Sequence, residues 1–458
     1  MKLRASHLLI FCLIGLGLAV ATAQADQPLT FTTLAYLDAY SLASLTPGND
    51  GAFYGTTGFG GTNGEGSVFR VSTNGQLTTL ASLGNEFGRN PFGGLTLGND
   101  GNFYGTTAAG GANDGGTVFQ VTTNGALTLI APLGGTNGST PFAGLTVAND
   151  GNFYGTTYHG GTNGSGTVFR VATNGQLTTL VSFGPNDGNP DGGLCLGTDG
   201  RLYGATVTGG SNGLGTVFRV TTNGQLTTLA AFDGTNGANP YAAMVQGRDG
   251  NLYGTTPQGG AFGLGTVFCA TTNGSGLVAL AAFDYTNGQN AQSLIQGKDG
   301  DLYGTAAMGG ANGYGTIFRV TTNGASGRVT ALVSFDFVTM GARPYSGLTL
   351  GSDGNYYGLT SATTNNGSGT VFVAYLPPDI RLVNVFNPVV TNGQFCFGFT
   401  NLIPGAAYNV ISATNVAIQA ANWKCGEAIS NMPAGYYQFV VPIDPGDAVQ
   451  FYRVRLVQ

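Results

Sequence analysis

Apolar and polar positions alternate over short stretches along most of the chain, and turn sequences separate these stretches. One unit shows four of them, at residues 94–97, 102–107, 117–121 and 127–133. The Asp-Gly and Asn-Gly pairs between them supply the positive φ angles that two-residue hairpins require. The pattern therefore predicts four short strands per unit, joined in part by tight hairpins.

The same unit recurs along the chain as Asp-Gly, two residues, Tyr-Gly, a glycine-rich stretch, then Gly-Thr-Val-Phe and Thr-Asn-Gly. Its tyrosines are Tyr54, Tyr104, Tyr154, Tyr203, Tyr253, Tyr303 and Tyr357. Their spacing is 49 or 50 residues, except for 54 before the last. Seven repeats of four strands, each about 50 residues long, are typical of the blades of a β-propeller.

The two ends of the array indicate how it closes. The last unit breaks at Pro377-Pro378 and lacks its fourth strand, whereas residues 31–37 match the fourth strand at 77–83 before any first unit exists. In a closed ring the N-terminal strand would complete the last blade and leave no open sheet edge. We therefore predict an all-β fold, with a seven-bladed β-propeller over residues 26–376.

Residues 379–458 leave the repeat and show short alternating stretches separated by turns. About 80 residues of this kind predict a small C-terminal β-sandwich. Cys396 and Cys425 both lie in this region, and whether they pair is left open. Cys195 and Cys269 occupy repeat positions filled elsewhere by Thr and Arg, which favours lone buried thiols.

The repeat resembles the GloVer tandem repeat of exported bacterial proteins over about residues 29–376. The resemblance is carried by the sequences Asp-Gly-Asn-Phe-Tyr-Gly-Thr-Thr and Gly-Thr-Val-Phe-Arg-Val-Thr-Thr-Asn-Gly. Residues 408–415, Trp423 and residues 451–454 resemble a fibronectin-like C-terminal module of exported Verrucomicrobia proteins, with Ala413 in place of the usual Ser. The resemblance implies a repeat array and export. It supplies no catalytic residue.

The N-terminus has the features of a secretory signal peptide over residues 1–25. Lys2 and Arg4 precede an apolar stretch at 8–21, and Ala-Gln-Ala at 23–25 is a cleavage sequence. We expect a protein that is secreted or held at the cell surface. No later apolar run reaches the 18 residues of a membrane span, so we expect no transmembrane segment.

Charged residues make up only 8% of the chain, and this low share limits the classes of partner that it can bind. Without residues 1–25 the chain keeps 14 basic and 22 acidic residues, a net charge of −8. Such a chain has no basic surface to neutralise phosphates, so nucleic acid is excluded as an expected partner. We expect a monomer that meets an extracellular carbohydrate or protein.

Any site should lie on one face of the propeller. The loops between second and third strands and the connections between blades emerge on the same face, and these are the long, variable segments. The candidates for a binding face are Phe59, Glu65, Arg89, Asp114, Tyr158, His159, Asp187, Tyr314 and Arg343. Glu86 and Asp191 lie in the same connections and are further candidates.

The chemistry available to an enzyme is limited. His159 alone remains after the signal peptide, so it is a weak catalytic candidate and a three-histidine zinc site is impossible. The Asp-Gly aspartates lack the neighbouring oxygen ligands of a calcium loop, so we predict no metal site and no cofactor. Tyr158 and His159 with Arg89 or Arg343 could form a polysaccharide lyase. Carboxylates drawn from Glu65, Glu86, Asp114 and Asp187 could instead hydrolyse glycosides.

The residues thus favour a secreted, non-catalytic propeller that binds an extracellular carbohydrate or protein through its variable loops. Two alternatives stay open: a polysaccharide-degrading enzyme, acting as lyase or glycoside hydrolase, and a structural component of a surface layer.

Overall fold

A computed structural model describes residues 29–321, 327–363 and 368–375, and the backbone of six strands between residues 386 and 457. The predicted signal peptide, Trp423, and the side chains of Cys396 and Cys425 lie outside the described residues. The chain divides into two units, Met1–Tyr375 and Leu376–Gln458. The predicted domain boundaries beyond this division stay predictions.

The first unit consists of four-stranded antiparallel sheets, numbered here as blades 1 to 7. Strand β1 is Thr30–Tyr36. Blade 1 contains β2 (Thr46–Pro47), β3 (Phe53–Thr57), β4 (Ser67–Val71) and β5 (Leu77–Ser82). Blade 2 contains β6 (Thr96–Leu97), β7 (Phe103–Thr107), β8 (Thr117–Val121) and β9 (Leu127–Pro132). Blade 3 contains β10 (Thr146–Val147), β11 (Phe153–Thr157), β12 (Thr167–Val171) and β13 (Leu177–Ser182), after a 3-10 turn at Gly135–Asn137.

The remaining blades repeat this order. Blade 4 contains β14 (Cys195–Leu196), β15 (Leu202–Thr206), β16 (Thr216–Val220) and β17 (Leu226–Ala231). Blade 5 contains β18 (Val245–Gln246), β19 (Leu252–Thr256), β20 (Thr266–Ala270) and β21 (Leu277–Ala282). Blade 6 contains β22 (Gln289–Gln296), β23 (Leu302–Met308), β24 (Thr316–Val320) and β25 (Val329–Ser334). Blade 7 contains β26 (Thr349–Leu350), β27 (Tyr356–Leu359) and β28 (Thr370–Tyr375).

Strand β1 completes blade 7, which confirms the predicted closure. It pairs antiparallel with β28, from Thr30 opposite Tyr375 to Tyr36 opposite Thr370. The ring of Phe31 packs on that of Phe372, with centroids 5.0 Å apart, and on that of Phe335, at 5.4 Å. The ring of seven blades is therefore closed by one strand from the N-terminal end and three from the C-terminal end.

The Tyr-Gly and Val-Phe parts of the repeat fit each other within each blade. A Cβ atom on Gly105 would lie 2.6 Å from the Phe119 ring, and the same holds for the other pairs at 2.4–2.7 Å. These pairs are Gly55/Phe69, Gly155/Phe169, Gly204/Phe218, Gly254/Phe268, Gly304/Phe318 and Gly358/Phe372. The repeat therefore needs glycine on the second strand because the phenylalanine of the third strand fills that space.

The core lies between neighbouring blades. Tyr54 of blade 1 stacks on Phe103 of blade 2 at 4.0 Å, and Tyr104 packs on Phe153 at 4.1 Å in the same way. Each repeat tyrosine also donates its hydroxyl to the aspartate of its own Asp-Gly hairpin, over 2.6–3.1 Å. The aspartates predicted to be turn residues therefore also hold the buried tyrosines.

The innermost strands of six blades have two residues and are shorter than the sequence pattern predicts, whereas β22 of blade 6 has eight. The pattern gave residues 94–97 in blade 2, and the structure has Thr96–Leu97. The preceding residues turn towards the ring axis, where the blades crowd: a Cβ atom on Gly93 would lie 2.4 Å from the backbone of Ala143. Contact with the next blade thus replaces ladder pairing at these residues.

The second unit contains β29 (Phe386–Thr391), β30 (Gln394–Asn401), β31 (Ala406–Ala413), β32 (Lys424–Met432), β33 (Gly435–Pro442) and β34 (Phe451–Val457). They form two three-stranded antiparallel sheets, in the orders β29-β30-β33 and β32-β31-β34. The packing of one sheet on the other lies outside the described residues, so the β-sandwich stays a prediction.

Candidate functional site

The loops between second and third strands and the connections between blades meet on one face, here called the loop face. Arg89 of the connection into blade 2 forms a bridge with Ala109, and Ser139 of the next connection forms one with His159. The same contact recurs in blades 5 and 7. In these four blades the connection is thus held against the loop of the blade that it enters.

A cavity of about 620 Å³ lies where the blades converge, and residues from every blade line it. In six blades one of the lining residues stands four positions before the innermost strand, and in blade 6 Gln292 lies within the innermost strand β22. We call these seven the channel ring: Leu42, Phe92, Phe142, Asp191, Tyr241, Gln292 and Tyr345. This volume is within the range of small-molecule sites.

Asparagines two residues ahead of the ring positions fix several of them. Asn90, Asn189 and Asn239 donate their Nδ2 groups to carbonyl oxygens of the preceding blade, over 2.9–3.0 Å. Asn90 and Asn239 have positive φ angles of 58° and 57°. Asparagine tolerates this left-handed conformation better than most residues. The backbone that carries Phe92, Asp191 and Tyr241 is therefore held from the neighbouring blade.

One part of the ring is polar and hydrogen-bonded. Tyr241 donates its hydroxyl to Oδ1 of Asn290, at 2.6 Å, and accepts Nε2 of Gln292, also at 2.6 Å. Burial is the main cause that raises the pKa of Tyr241; the hydrogen bond from Gln292 opposes it, and Tyr345 and Asp191 add to it. Tyr241 therefore stays a neutral phenol close to both of these residues.

Asp191 is the charged residue of the cavity lining. Burial alone raises the pKa of its carboxyl group to about 6. No Lys, Arg or His is present among the described residues that line the cavity. The carboxylate therefore lies in a partly apolar space without a basic side chain to compensate its charge.

Aromatic side chains cross the loop face from blade 1 to blade 3. We call them the aromatic arc: Tyr40, Phe59, Phe92, Phe142, Tyr158 and His159. Neighbouring ring centroids are 4.7 to 6.3 Å apart. Phe59 is 40% exposed and His159 is exposed as well, so the arc is open to solvent at these two residues.

The arc joins three sequence candidates, Phe59, Tyr158 and His159, through two phenylalanines that the sequence analysis did not single out. Phe92 and Phe142 follow Pro91 and Pro141 in segments that resemble ordinary connections. Their repeat alignment with Asp191 and Tyr241 is the signal that could have identified them. Variation at this repeat position, beside a proline in blades 2, 3, 4, 5 and 7, indicates a surface that differs from blade to blade.

Other predicted site residues serve the loops themselves. Arg89 pairs with Asp114 at 2.9 Å and also donates to Oδ1 of Asn85. Asp114 accepts the backbone N–H of Gly110, and Asp187 accepts that of Gly184, both at 2.9 Å. These contacts account for the three charged side chains as loop-stabilising groups, with Asp114 still exposed.

The remaining candidates lie elsewhere on the loop face. Glu65 lies in the loop of blade 1, where its backbone forms a bridge with Gly60. Tyr314, in the loop of blade 6, stacks on Phe337 at 5.5 Å and is 42% exposed. Arg343 lies in the connection between blades 6 and 7, so three or more blades separate it from Tyr158. Tyr314 and Arg343 lie outside blades 1 to 3, which carry the arc, whereas Glu65 shares the loop of blade 1 with Phe59.

The described part of the chain contains no cluster of three or more His, Cys, Asp or Glu side chains arranged to hold a metal ion. Nor does it contain a helix long and apolar enough to cross a membrane.

The strand order and the ring of blades define a seven-bladed β-propeller with a lined cavity on its axis. Residues 22–196 and 189–395 match the model of the Gloeobacter/Verrucomicrobia repeat, and the chain belongs to this family. This confirms the resemblance seen in the repeat; the C-terminal module stays a prediction. Propeller fold and repeat family together indicate a surface or binding scaffold.

The comparison with solved structures gives matches of low sequence identity. The extracellular domain of a proposed hybrid two component system from B. thetaiotaomicron is 13% identical, with a TM-score of 0.49. The match covers 94% of this chain and 58% of that one. A gluconolactonase from Xanthomonas campestris is 16% identical, with a TM-score of 0.40, over 63% of this chain and 93% of that one. No curated protein sequence matches this chain.

Proposed function

We propose that this protein is a secreted, non-catalytic scaffold that binds an extracellular carbohydrate on the loop face, with the aromatic arc as the contact surface. The observation that carries the proposal is the row of rings from Phe59 through Phe92 and Phe142 to Tyr158. Sugar rings stack their C–H faces on aromatic side chains. A neutral polysaccharide needs no basic surface, which matches the low charge of the chain.

The geometry gives less support to an enzyme. A lyase would use Tyr158 and His159 with Arg89 or Arg343, but Arg89 is paired with Asp114 and Arg343 lies several blades away. A glycoside hydrolase needs two carboxylates across one sugar bond. Asp114 and Asp187 instead accept hydrogen bonds from their own loops.

The test begins with an array of neutral, acidic and amino polysaccharides and extracellular proteins, followed by calorimetric titration of any glycan that binds. We expect Tyr158→Ala to weaken glycan binding at least tenfold, because it removes the ring that lies between Phe142 and His159 in the arc. Tyr375→Ala is the matched control: Tyr375 is 37% exposed and ends β28, which begins at the loop face. We expect this variant to bind within twofold of the parent protein.

Each other outcome has a defined meaning. If a glycan is cleaved and His159→Ala abolishes the cleavage, the non-catalytic assignment is wrong. Binding to a protein but to no glycan identifies the protein partner as the correct alternative. If nothing binds, a structural surface component becomes the favoured function.

A further inference from the structure

The channel ring contains a carboxylate, Asp191, that the carbohydrate proposal does not use. Asp191 stands between Phe142 of blade 3 and Tyr241 of blade 5 in ring order. Phe92 and Tyr345 add two more aromatic side chains to the same cavity. One carboxylate and four aromatic residues thus line one space.

The polar neighbours of Asp191 are already committed to other partners. The Tyr241 hydroxyl donates to Asn290, and the Gln292 amide donates to Tyr241 and, at 2.8 Å, to the carbonyl of Asn290. Burial raises the pKa of Asp191, and no hydrogen bond to its carboxylate opposes this shift. In the described lining, its negative charge is therefore left for a ligand or water to balance.

Aromatic faces and a carboxylate attract the same kind of group. The π faces of Phe and Tyr attract cations, and the attraction grows when the cation is desolvated. A carboxylate supplies the opposite charge without demanding a fixed donor geometry. We propose that the channel ring binds an organic ammonium group, with Asp191 as its counter-charge and the flanking rings of Phe142 and Tyr241 as its apolar walls. Phe142 belongs to both the channel ring and the aromatic arc, but the ammonium site depends on Asp191, which the carbohydrate proposal does not use.

The test uses choline chloride as the probe and 3,3-dimethylbutan-1-ol as its neutral isostere, in calorimetric titrations at pH 7.5. We expect choline to bind and the isostere not to bind. Methylammonium chloride forms a second arm, which distinguishes a primary ammonium ligand from a quaternary one. Calcium chloride is the third arm, because a carboxylate can also hold a hard cation.

The variant that tests the site is Asp191→Asn, which keeps the side-chain shape and removes its charge. We expect it to weaken choline binding at least tenfold. Glu86→Gln is the matched control, because Glu86 is an exposed carboxylate in a connection of the same face. It removes the same charge, and we expect binding within twofold of the parent protein.

Choline titrations at several pH values distinguish binding at Asp191 from attraction to the net negative charge of the protein. We expect choline binding to weaken from pH 7.5 to pH 5 in the parent protein, since protonated Asp191 no longer attracts a cation. The other titratable groups of the described lining are two phenols, Tyr241 and Tyr345. Burial raises the pKa of Tyr241, which keeps this phenol neutral over the range tested. Asp191→Asn should show no such dependence.

The proposal is overturned if the neutral isostere binds as well as choline, if no ammonium probe binds, if Glu86→Gln weakens choline binding as much as Asp191→Asn, or if calcium alone binds. These outcomes do not involve Phe59 or Tyr158. Failure of this proposal and failure of the carbohydrate proposal are therefore distinguishable.

Discussion

At the scale of single residues, the position of Asp191 makes it a site residue that works against stability. An aspartate of ordinary pKa near 3.8 loses its proton at lower pH than the folded carboxyl group, whose pKa is about 6. Between these two values the folded state holds a proton that the unfolded state has released. Stability therefore falls as pH rises from about 4 to about 6 and stays lower above that range.

We predict that Asp191→Asn raises the free energy of unfolding at pH 8 by about 1–2 kcal/mol, after allowing for partial exposure of the side chain. The gain should be largely lost near pH 3, below both pKa values, where the parent carboxyl group is mostly protonated in the folded and the unfolded state. Denaturant unfolding at the two pH values measures it. An equal change at both values would show that burial of the charge is not the cause.

Single residues also show which features of the fold and the site can be predicted from the sequence. The pairing of Gly105 with Phe119 follows from a repeat that can be recognised by eye, because both residues recur in every unit. Asp191 and Phe142 stand at a repeat position that also holds Leu42, Phe92, Tyr241 and Tyr345, so no constant motif marks it and only the alignment of the repeats locates it. Their importance comes from the ring axis, which brings side chains some 50 residues apart into one cavity.

At the scale of elements, β1 is the strand on which ring closure depends. It supplies the outer strand of blade 7 and packs Phe31 between Phe335 and Phe372. The sequence alone predicts this strand, because residues 31–37 match the fourth strand of the repeat at residues 77–83. The short inner strands were less predictable, since blade contact near Gly93 and Ala143 decides where ladder pairing begins.

We predict that deleting residues 26–40 abolishes cooperative unfolding of the propeller, because blade 7 then exposes the unpaired edge of β28. Circular dichroism during thermal unfolding measures this. The control is Phe31→Ala, which keeps the strand and removes one partly buried ring. It should lower stability by about 2–3 kcal/mol and leave the transition cooperative. A deletion variant that melts like the parent protein would refute closure by β1.

At the scale of the whole molecule, the loop face is divided into two parts. The aromatic arc belongs to blades 1 to 3, whereas the polar members of the channel ring belong to blades 4 to 7. Arg89 and Asp114 pair within the loops, so they do not connect the two parts. The asymmetry arises from substitutions at equivalent positions on a nearly symmetric frame.

We predict that the two parts bind independently. Tyr158→Ala should leave choline binding within twofold of the parent protein, and Asp191→Asn should leave glycan binding within twofold. Titrating each variant with both probes measures this. If each substitution weakens both ligands, the arc and the channel form one composite site instead.

The pairing of Thr30 with Tyr375 also sets an order of events during biosynthesis. The strand that is made first has its partner at the far end of the ring, so it must remain unpaired until six blades and most of the seventh have been synthesised. Contacts so distant in sequence make folding slow. The ring can therefore close only after translation has passed residue 375.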